Sequence, residues 1–403
     1  MTHPLNQDLA GELTLLGWDA NRETGGADGS FTVNLYWKAN HPLGVAYGFD
    51  VRLVDAGGLT WSEPDPPRPR DWRFTPGTDF WPEDQYVMDS YVLTPLVGTP
   101  PGEYTLQVTV FARHNLQTIG TAQAGTITIN APSRARRCTE DPSRWGPFFG
   151  DVVNLKTLSF SPAWAAAGDD VLVSLCWHAD HEPYPSFDWS FQLELIGEQG
   201  TVISQPRIIA PGYPTSRWKI GDVMRDQWRV RLPASLETGD YHWQISAGVT
   251  SWVGSLHVTA PPRTFTEPNV AQTLKADLGP VTLFGVDVSP ASAARGAPLT
   301  VTFVWKADEL MDMSYHVFVH LLGPDGTLVT QSDGVPADWT RRTTGWLPGE
   351  FVTETRTLTL PPDAPPGEYT LWAGMYDPES KDRLTTSEFP DGRVPLGTVQ
   401  VGP

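Results

Sequence analysis

The feature of this chain that most limits its fold is a pattern that occurs three times in nearly the same order. A tryptophan motif stands at residues 35–40 (LYWKAN), 175–180 (LCWHAD) and 304–308 (VWKAD). A turn and an aromatic strand follow it at residues 101–106 (PGEYTL), 238–243 (TGDYHW) and 366–371 (PGEYTL). The tryptophan and the tyrosine of each copy lie 67, 64 and 64 residues apart. This regular spacing marks an internal repeat, and we expect one module used three times.

Length and composition agree with three domains made of short strands. Domains of roughly 100 to 200 residues predict two to four domains in a chain of 403 residues, and the repeat selects three. The chain has 38 Pro and 37 Gly and only 19% charged residues, a balance typical of strands joined by tight turns. Residues alternate between apolar and polar in the tryptophan strands, so Trp37, Trp177 and Trp305 should point into their cores.

The strand count of each module predicts the fold class. About seven alternating segments are readable per module, as in an immunoglobulin-like sandwich. We therefore predict an all-β protein of three tandem immunoglobulin- or fibronectin-III-like β-sandwich domains. Composition changes at the short Pro-containing stretches 131–137 and 260–263 place the domains at residues 1–131, 132–262 and 263–403. Below, these ranges are called the first, second and third modules.

Charge and hydropathy limit the partners. A formal net charge of −19 opposes binding to nucleic acid, whose affinity depends largely on Lys and Arg. No stretch approaches the ~18 apolar residues of a membrane span, so no direct membrane span is expected. The N-terminus has no basic region followed by an apolar run, which by itself predicts a cytoplasmic protein. The chain opens directly into the first module, however, as a processed piece of a larger exported protein would, and we favour an extracellular or cell-surface location.

Several motifs carry a resemblance to a known family. They lie at residues 283–290, 317–334 and 343–378 of the third module, 213–222 of the second, and 13–19 and 100–106 of the first. With these motifs the chain resembles the β-sandwich modules at the exported C-terminal ends of certain bacterial multi-spanning membrane proteins. Those membrane proteins are similar to lipid-linked-sugar glycosyltransferases. The resemblance implies an exported module and no catalytic residues in this chain.

A search for catalytic motifs leaves none. The sequence has no Gly-x-Ser-x-Gly, His-Glu-x-x-His, P-loop or Cys-x-x-Cys motif, and its nine His are scattered. His178 and His181 stand at a strand end and are best interpreted as solvated. The acidic run at residues 377–382 contains a lysine and lacks an Asp-x-Asp-x-Asp pattern, so a calcium site is not favoured. We expect no enzyme activity, no cofactor and no metal site, although a hidden pair of carboxylates stays open.

The best binding candidates lie in an insertion of the first module, residues 61–81. Its candidate ligand-binding residues are Trp61, Trp72, Arg70 and Arg73, because flat aromatic rings can stack on sugars and Arg can bind hydroxyls. For Trp61 and Trp72, recognition or a contact between domains stands against simple local packing as the other interpretation. Trp81 aligns with Trp218 and Trp346, each just before a strand, which indicates a repeated packing role.

The two cysteines leave two interpretations open. Cys138 follows the first linker, and Cys176 alternates with the inward Leu175 and Trp177 and should face outward. A disulfide between them would connect the linker to the second module in an oxidising compartment. The other interpretation is two unpaired thiols.

Two classes of function remain. The first is a non-catalytic structural or adhesive protein whose modules pack against copies of themselves or against neighbouring envelope proteins. The second is a carbohydrate-binding accessory region of a carbohydrate-active enzyme or glycosyltransferase, with glycans as partners. Core tryptophans and turns explain most of the aromatic residues without a ligand, so we favour the first class.

Overall fold

The fold is known from a computed structural model, which describes residues 1–64, 77–82, 85–130, 136–138, 148–149, 152–181, 186–247 and 250–402. These residues form 26 strands and three single-turn 3₁₀ helices, and no α-helix occurs among them. The strands assemble into six sheets, two in each module. The predicted fold class is confirmed: the chain is all-β, with three tandem immunoglobulin-like β-sandwich domains.

The first module is a sandwich of two four-stranded sheets. Its strands are β1 (His3–Leu9), β2 (Leu13–Ala20), β3 (Thr24–Gly25), β4 (Phe31–Ala39), β5 (Tyr47–Val54), β6 (Tyr86–Leu93), β7 (Gly102–Ala112) and β8 (Thr118–Ile129). The sheets have the strand orders β1-β2-β4-β6 and β3-β8-β7-β5. The inward residues of both sheets form one apolar core, as the alternating burial of β4 requires.

The second module repeats this arrangement and adds a strand. Its strands are β9 (Phe148–Phe149), β10 (Val153–Ser161), β11 (Trp164–Ala166), β12 (Asp170–Ala179), β13 (Ser190–Gly197), β14 (Gly200–Ile208), β15 (Val223–Arg231), β16 (Gly239–Ser246) and β17 (Thr250–Thr259). The sheets have the orders β15-β12-β10-β9 and β11-β17-β16-β13-β14. The hairpin partner β14, directly after the turn that closes β13, was not predicted from the sequence.

The third module has the same topology as the second. Its strands are β18 (Gln272–Asp277), β19 (Val281–Ser289), β20 (Ser292–Ala293), β21 (Pro298–Ala307), β22 (His316–Leu322), β23 (Leu328–Gly334), β24 (Phe351–Thr359), β25 (Gly367–Tyr376) and β26 (Val394–Val401). The sheets have the orders β18-β19-β21-β24 and β20-β26-β25-β22-β23. In all three modules a short strand (β3, β11 or β20) pairs in parallel with the last strand.

The repeated tyrosine forms the same corner in each module. Tyr104 donates its hydroxyl hydrogen to the carbonyl of Pro100 at 2.8 Å, and Tyr369 donates to Pro365 at 2.8 Å. Tyr241 donates to Glu237 at 3.0 Å, again four residues earlier. This is the tyrosine corner of immunoglobulin-like sandwiches, and it explains why the Pro-Gly turn and the tyrosine recur together.

A second repeated corner is built by a threonine and a tryptophan on a 3₁₀ turn. The turns are Thr78–Phe80, Thr215–Arg217 and Thr343–Gly345. The hydroxyl oxygen of the threonine accepts a backbone N–H from a distant segment: from Tyr47 at 2.6 Å, Trp189 at 2.9 Å and Tyr315 at 2.9 Å. The residue after each turn is a buried tryptophan: Trp81, Trp218 and Trp346. The predicted packing position of these tryptophans is thus the end of a repeated corner.

The contacts of the backbone divide the chain into two compact units that do not coincide with the modules. Unit 1 contains Met1–Ser161, Leu172–Arg229 and His242–Gly254. Unit 2 contains Pro162–Val171, Val230–Tyr241 and Ser255–Pro403. The second module therefore contributes residues to both units, and the sites below are each described within one unit.

Candidate functional site

The three tryptophans expected in the cores lie there. Trp37, Trp177 and Trp305 are each 0% exposed. Trp37 packs against Phe49, with ring centroids 4.7 Å apart. The Trp305 side chain differs by its polar contact, because its indole Nε1 donates to the carboxylate of Glu354 at 2.9 Å.

Trp61, a candidate ligand-binding side chain for which local packing was the other interpretation, lies in the core of the first module. It is 5% exposed and packs against Tyr104. Its indole Nε1 donates to the carboxylate of Asp55 at 2.8 Å, so the polar edge of the ring is satisfied inside the protein. A ring in this position cannot stack on a sugar, which corrects the expectation for Trp61. The other candidates, Trp72, Arg70 and Arg73, lie outside the described residues.

The two cysteines form a disulfide. The Cα atoms of Cys138 and Cys176 are 6.1 Å apart, within the usual range for a bridge. Cys176 points away from the core of its own module, as its position in the strand predicts, yet it is 0% exposed. Its sulfur lies 3.9 Å from the carbonyl oxygen of Val97 in the first module. At Cys176 the outward face of β12 is therefore covered and does not face solvent.

The residues beside Cys138 connect the linker to the first module. Arg136 Nη2 donates to the carboxylate of Glu63 at 2.7 Å. Its Nη1 donates to the carbonyl of Pro95 at 3.4 Å. The described part of the linker is thus attached to the first module by Arg136 and to the second by Cys138.

Strand β15 makes the direct contact between the first and second modules within unit 1. Three alternate residues on its outward face, Arg225, Gln227 and Arg229, donate hydrogen bonds to carbonyl oxygens of the first module. Arg225 Nε donates to Val97 at 2.9 Å, and Gln227 Nε2 donates to Thr60 at 3.1 Å. The Arg229 guanidinium donates to two glycine carbonyls, at 3.2 and 3.3 Å. The face that a strand normally presents to water is here a hydrogen-bonded interface.

One glycine makes the closest approach at this interface possible. The backbone N–H of Arg225 donates to the carbonyl of Gly98 at 2.6 Å. Gly98 has a φ of +80°, and a Cβ atom there would stand 2.7 Å from the Arg225 nitrogen. Only glycine combines that backbone conformation with so close a contact.

The second linker has a comparable connection within unit 2. Arg263 Nη1 donates to the carbonyl of Gly345 at 3.0 Å and to the carboxylate of Glu350 at 2.5 Å. Glu350 is fully buried and also accepts a hydrogen bond from Arg341 at 2.6 Å. A buried carboxylate held by two arginines satisfies the general requirement that buried charges be paired. Both predicted linkers therefore place an arginine in a specific contact.

A buried acid occupies the fourth position of β15 and of β24 and holds a left-handed alanine. Asp226 accepts the backbone N–H of Ala210 at 3.2 Å, and Glu354 accepts that of Ala337 at 3.1 Å. The φ angles of these alanines are +45° and +52°, a region that residues other than glycine rarely occupy. Burial raises the pKa of Glu354, which the adjacent Arg356 guanidinium counteracts. The acid and the alanine that it holds are part of the repeated framework.

The third module continues its left-handed turn further than the second. Asp338 and Trp339 follow Ala337 with φ angles of +52° and +67°. Left-handed backbone costs about 1–2 kcal/mol for each residue other than glycine. Trp339 nevertheless leaves 62% of its surface exposed. One side of its ring rests on Gly334, where an added Cβ would stand 2.8 Å from the indole Cζ2.

Trp339 stands at the edge of a cleft of about 430 Å³ in unit 2. Carboxylates and arginines line its walls. Arg231 pairs with Asp170 at 2.6 Å, and Arg342 lies 3.6 Å from Asp169. The Arg342 side chain is 58% exposed, so its guanidinium reaches solvent beside Trp339.

Two further cleft residues are polar and uncharged. Burial lowers the pKa of His316, and three nearby cations lower it further, so the imidazole is neutral at neutral pH. Its ring meets Trp339 edge to face, with centroids 5.4 Å apart and planes at 78°. The hydroxyl of Ser314 is shielded from solvent and has no hydrogen-bond partner among the described residues. The cleft therefore combines an exposed indole with acidic, basic and uncharged polar groups.

Sequence reasoning did not identify this cleft, although one signal for it was present. Trp346 lies nine positions after Ala337, whereas Trp218 lies eight positions after Ala210. The loop that carries the exposed tryptophan is therefore one residue longer. A comparison of loop lengths between repeats could have singled out this loop.

Metal-ligand clusters and membrane-spanning helices were sought among the described residues. Within the described ranges, no group of three or more His, Cys, Asp or Glu is placed to hold a metal ion. Over the same residues, no helix has the length and apolarity needed to cross a membrane.

Comparisons with known proteins give weak similarities. No protein-family model matches the chain, and no curated protein matches it significantly. Among solved structures, trypsin-activated alpha-2-macroglobulin from Escherichia coli is 10% identical over 92% of this chain and 21% of its own, with a TM-score of 0.20. Salmonella alpha-2-macroglobulin reacted with methylamine is 11% identical over 95% and 27%, with a TM-score of 0.21. Dimeric latent PorU from Porphyromonas gingivalis is 9% identical over 97% and 33%, with a TM-score of 0.20.

The chain thus spans a third or less of the length of those proteins. Similarities this low say nothing about what the chain binds or does.

Proposed function

We propose that the chain is a non-catalytic structural protein of the extracellular space or cell surface. In this role its β-sandwich modules are connected by specific contacts and pack against further copies of the chain or against neighbouring envelope proteins. The observation that carries the proposal is the face of β15, where Arg225, Gln227 and Arg229 all donate hydrogen bonds to the first module. A strand face used in this way favours a fixed spacing between domains over a mobile hinge.

The disulfide supports the exported location. Disulfides persist in oxidising compartments such as the cell surface and the periplasm, and they are rare in the cytosol. Cys138 and Cys176 are 38 residues apart, and closing a loop of this length stabilises a fold by roughly 4 kcal/mol in the chain-entropy model. The resemblance to exported modules of bacterial membrane proteins points the same way.

The carbohydrate-binding alternative, in the form expected from the sequence, is less well supported. It depended on the insertion of the first module, and the ring of Trp61 is buried there. A structural role needs no ligand-binding residue in that insertion.

The proposal is tested by two measurements on the oxidised full-length chain. Sedimentation velocity over a wide concentration range should show species heavier than one chain. Hydrogen exchange should be slow at residues 57–60 and 97–98, which β15 contacts, and should become faster when Arg225, Gln227 and Arg229 are replaced by Ala together. A chain that stays monomeric at every concentration, with fast exchange at these residues, would contradict the structural role.

A further inference from the structure

Trp339 has a position that folding alone does not explain. An exposed indole gains little from burial, and the left-handed backbone beneath it costs stability. Strained residues persist where the surroundings force them, and they concentrate at binding and catalytic sites. Here the forcing contacts are visible: Glu354 holds the N–H of Ala337, and Gly334 and His316 contact the ring. The ring is therefore fixed in place before any ligand arrives, which lowers the entropic cost of binding.

The charges of the cleft select against anions. Four carboxylates line it, from Asp169, Asp170, Asp312 and Glu379, so an anionic ligand would meet repulsion. Arg231 and Arg342 pair with two of them, Asp170 and Asp169, which leaves the wall acidic overall. A ligand rich in hydroxyl groups, which can donate hydrogen bonds to the carboxylates and accept them from the arginines, fits this wall.

From the fixed indole and the paired wall we propose that the cleft around Trp339 binds a neutral oligosaccharide. One sugar ring lies on the exposed indole, and its hydroxyls exchange hydrogen bonds with the Arg342–Asp169 pair. The neutral imidazole of His316 supplies one donor or one acceptor beside the ring. This site goes beyond the structural role proposed above and does not depend on it.

The test begins with the full-length protein on a printed array of neutral, acidic and amino-sugar oligosaccharides. Wild-type protein should bind neutral oligosaccharides, and calorimetry with the strongest of them then compares variants. Trp339→Ala should weaken binding at least about tenfold, because the stacking surface is lost. Arg342→Ala should weaken it several-fold. This second variant changes an exposed side chain, so it keeps the test valid if Trp339→Ala fails to fold.

Trp164 provides the matched control. It is 71% exposed and lies against a histidine, with its centroid 4.5 Å from that of His257, but it is not part of the cleft. Trp164→Ala should bind like wild type.

Four results would overturn the proposal: an empty array, binding only to charged glycans or to peptides, unchanged binding by Trp339→Ala, or equal losses in Trp339→Ala and Trp164→Ala. None of these results bears on sedimentation or on exchange at the β15 interface, so the structural role stands or falls separately.

Discussion

Equivalent loops of the second and third modules begin and end in the same way but differ in length and in what they expose. In the second module, the loop from Ala210 to Trp218 begins at a left-handed alanine held by Asp226 and ends at a buried tryptophan. In the third, the loop from Ala337 to Trp346 begins and ends in the same way, with Glu354 as the acid. One additional residue lies between, and Trp339 is exposed at the cleft. The two loops share a scaffold, and the departure from it in the third module carries the proposed binding residue.

The acids differ in a way that extends the comparison. The Asp226 carboxylate is paired with Arg207, whose side chain is 23% exposed and stacks on Trp228 at 3.8 Å. The Glu354 carboxylate, one methylene longer, reaches Trp305 in the core and pairs with Arg356, whose side chain is 7% exposed. The ion pair of the third module is thus more deeply buried than that of the second.

The largest effect is expected from removing these acids. Glu354→Ala should lower the stability of the third module by about 3–5 kcal/mol, because it leaves the Arg356 charge buried without its partner. Asp226→Ala should cost about 1–3 kcal/mol in the second module, since water can reach Arg207. Hydrogen exchange of β24 and β15 in the full chain gives the two opening free energies. Equal losses of stability in the two variants would contradict the predicted difference between the two acids.

A smaller effect is expected from the threonines of the corners. Thr215→Val removes the acceptor for the Trp189 N–H and should cost about 1–2 kcal/mol. Thr343→Val should cost more, because Thr343 also donates to the carbonyl of Met313 at 2.7 Å. Exchange of the amides that follow each 3₁₀ turn measures both changes, and Thr357→Val, on an outer strand position, is the control. A larger loss in the second module would reverse the predicted order.

Replacing the two alanines of left-handed backbone with glycine should raise stability, in contrast to the substitutions above. Ala210→Gly and Ala337→Gly should each raise stability by about 0.5–1 kcal/mol, because the relief of left-handed strain exceeds the entropy that glycine adds to the unfolded chain. The control is Ala39→Gly in β4, which should lower stability. Thermal unfolding of the three variants checks the signs. A loss at both loop positions would mean that the alanine methyl groups contribute packing that outweighs the strain.

Much of the fold was predictable because it depends on local patterns. Alternation placed Trp37, Trp177 and Trp305 in the cores, and the repeat distinguished the packing tryptophans from the others.

The features that were missed depend on contacts between distant segments. Trp61 is buried because Asp55 accepts its N–H across a hairpin, which composition does not reveal. Cys176 faces outward from its strand, but Val97 covers it from another module. Trp339 is exposed because it lies on a strained turn, which Glu354 of the neighbouring sheet holds through the N–H of Ala337. Apolar–polar alternation predicts which side chains of a strand share a face. It does not predict which distant segment packs against that face, and these sites depend on that segment.

Deleting Trp339 tests most directly whether the repeated framework is sufficient for the third module to fold and whether Trp339 is required for ligand binding. The deletion gives the third module the loop length of the second and leaves Ala337, Glu354 and Trp346 in place. We predict unchanged hydrogen exchange in β21 and β24 together with loss of oligosaccharide binding on the array. Retained binding, or fast exchange throughout the third module, would contradict the division between a shared framework and an added binding residue.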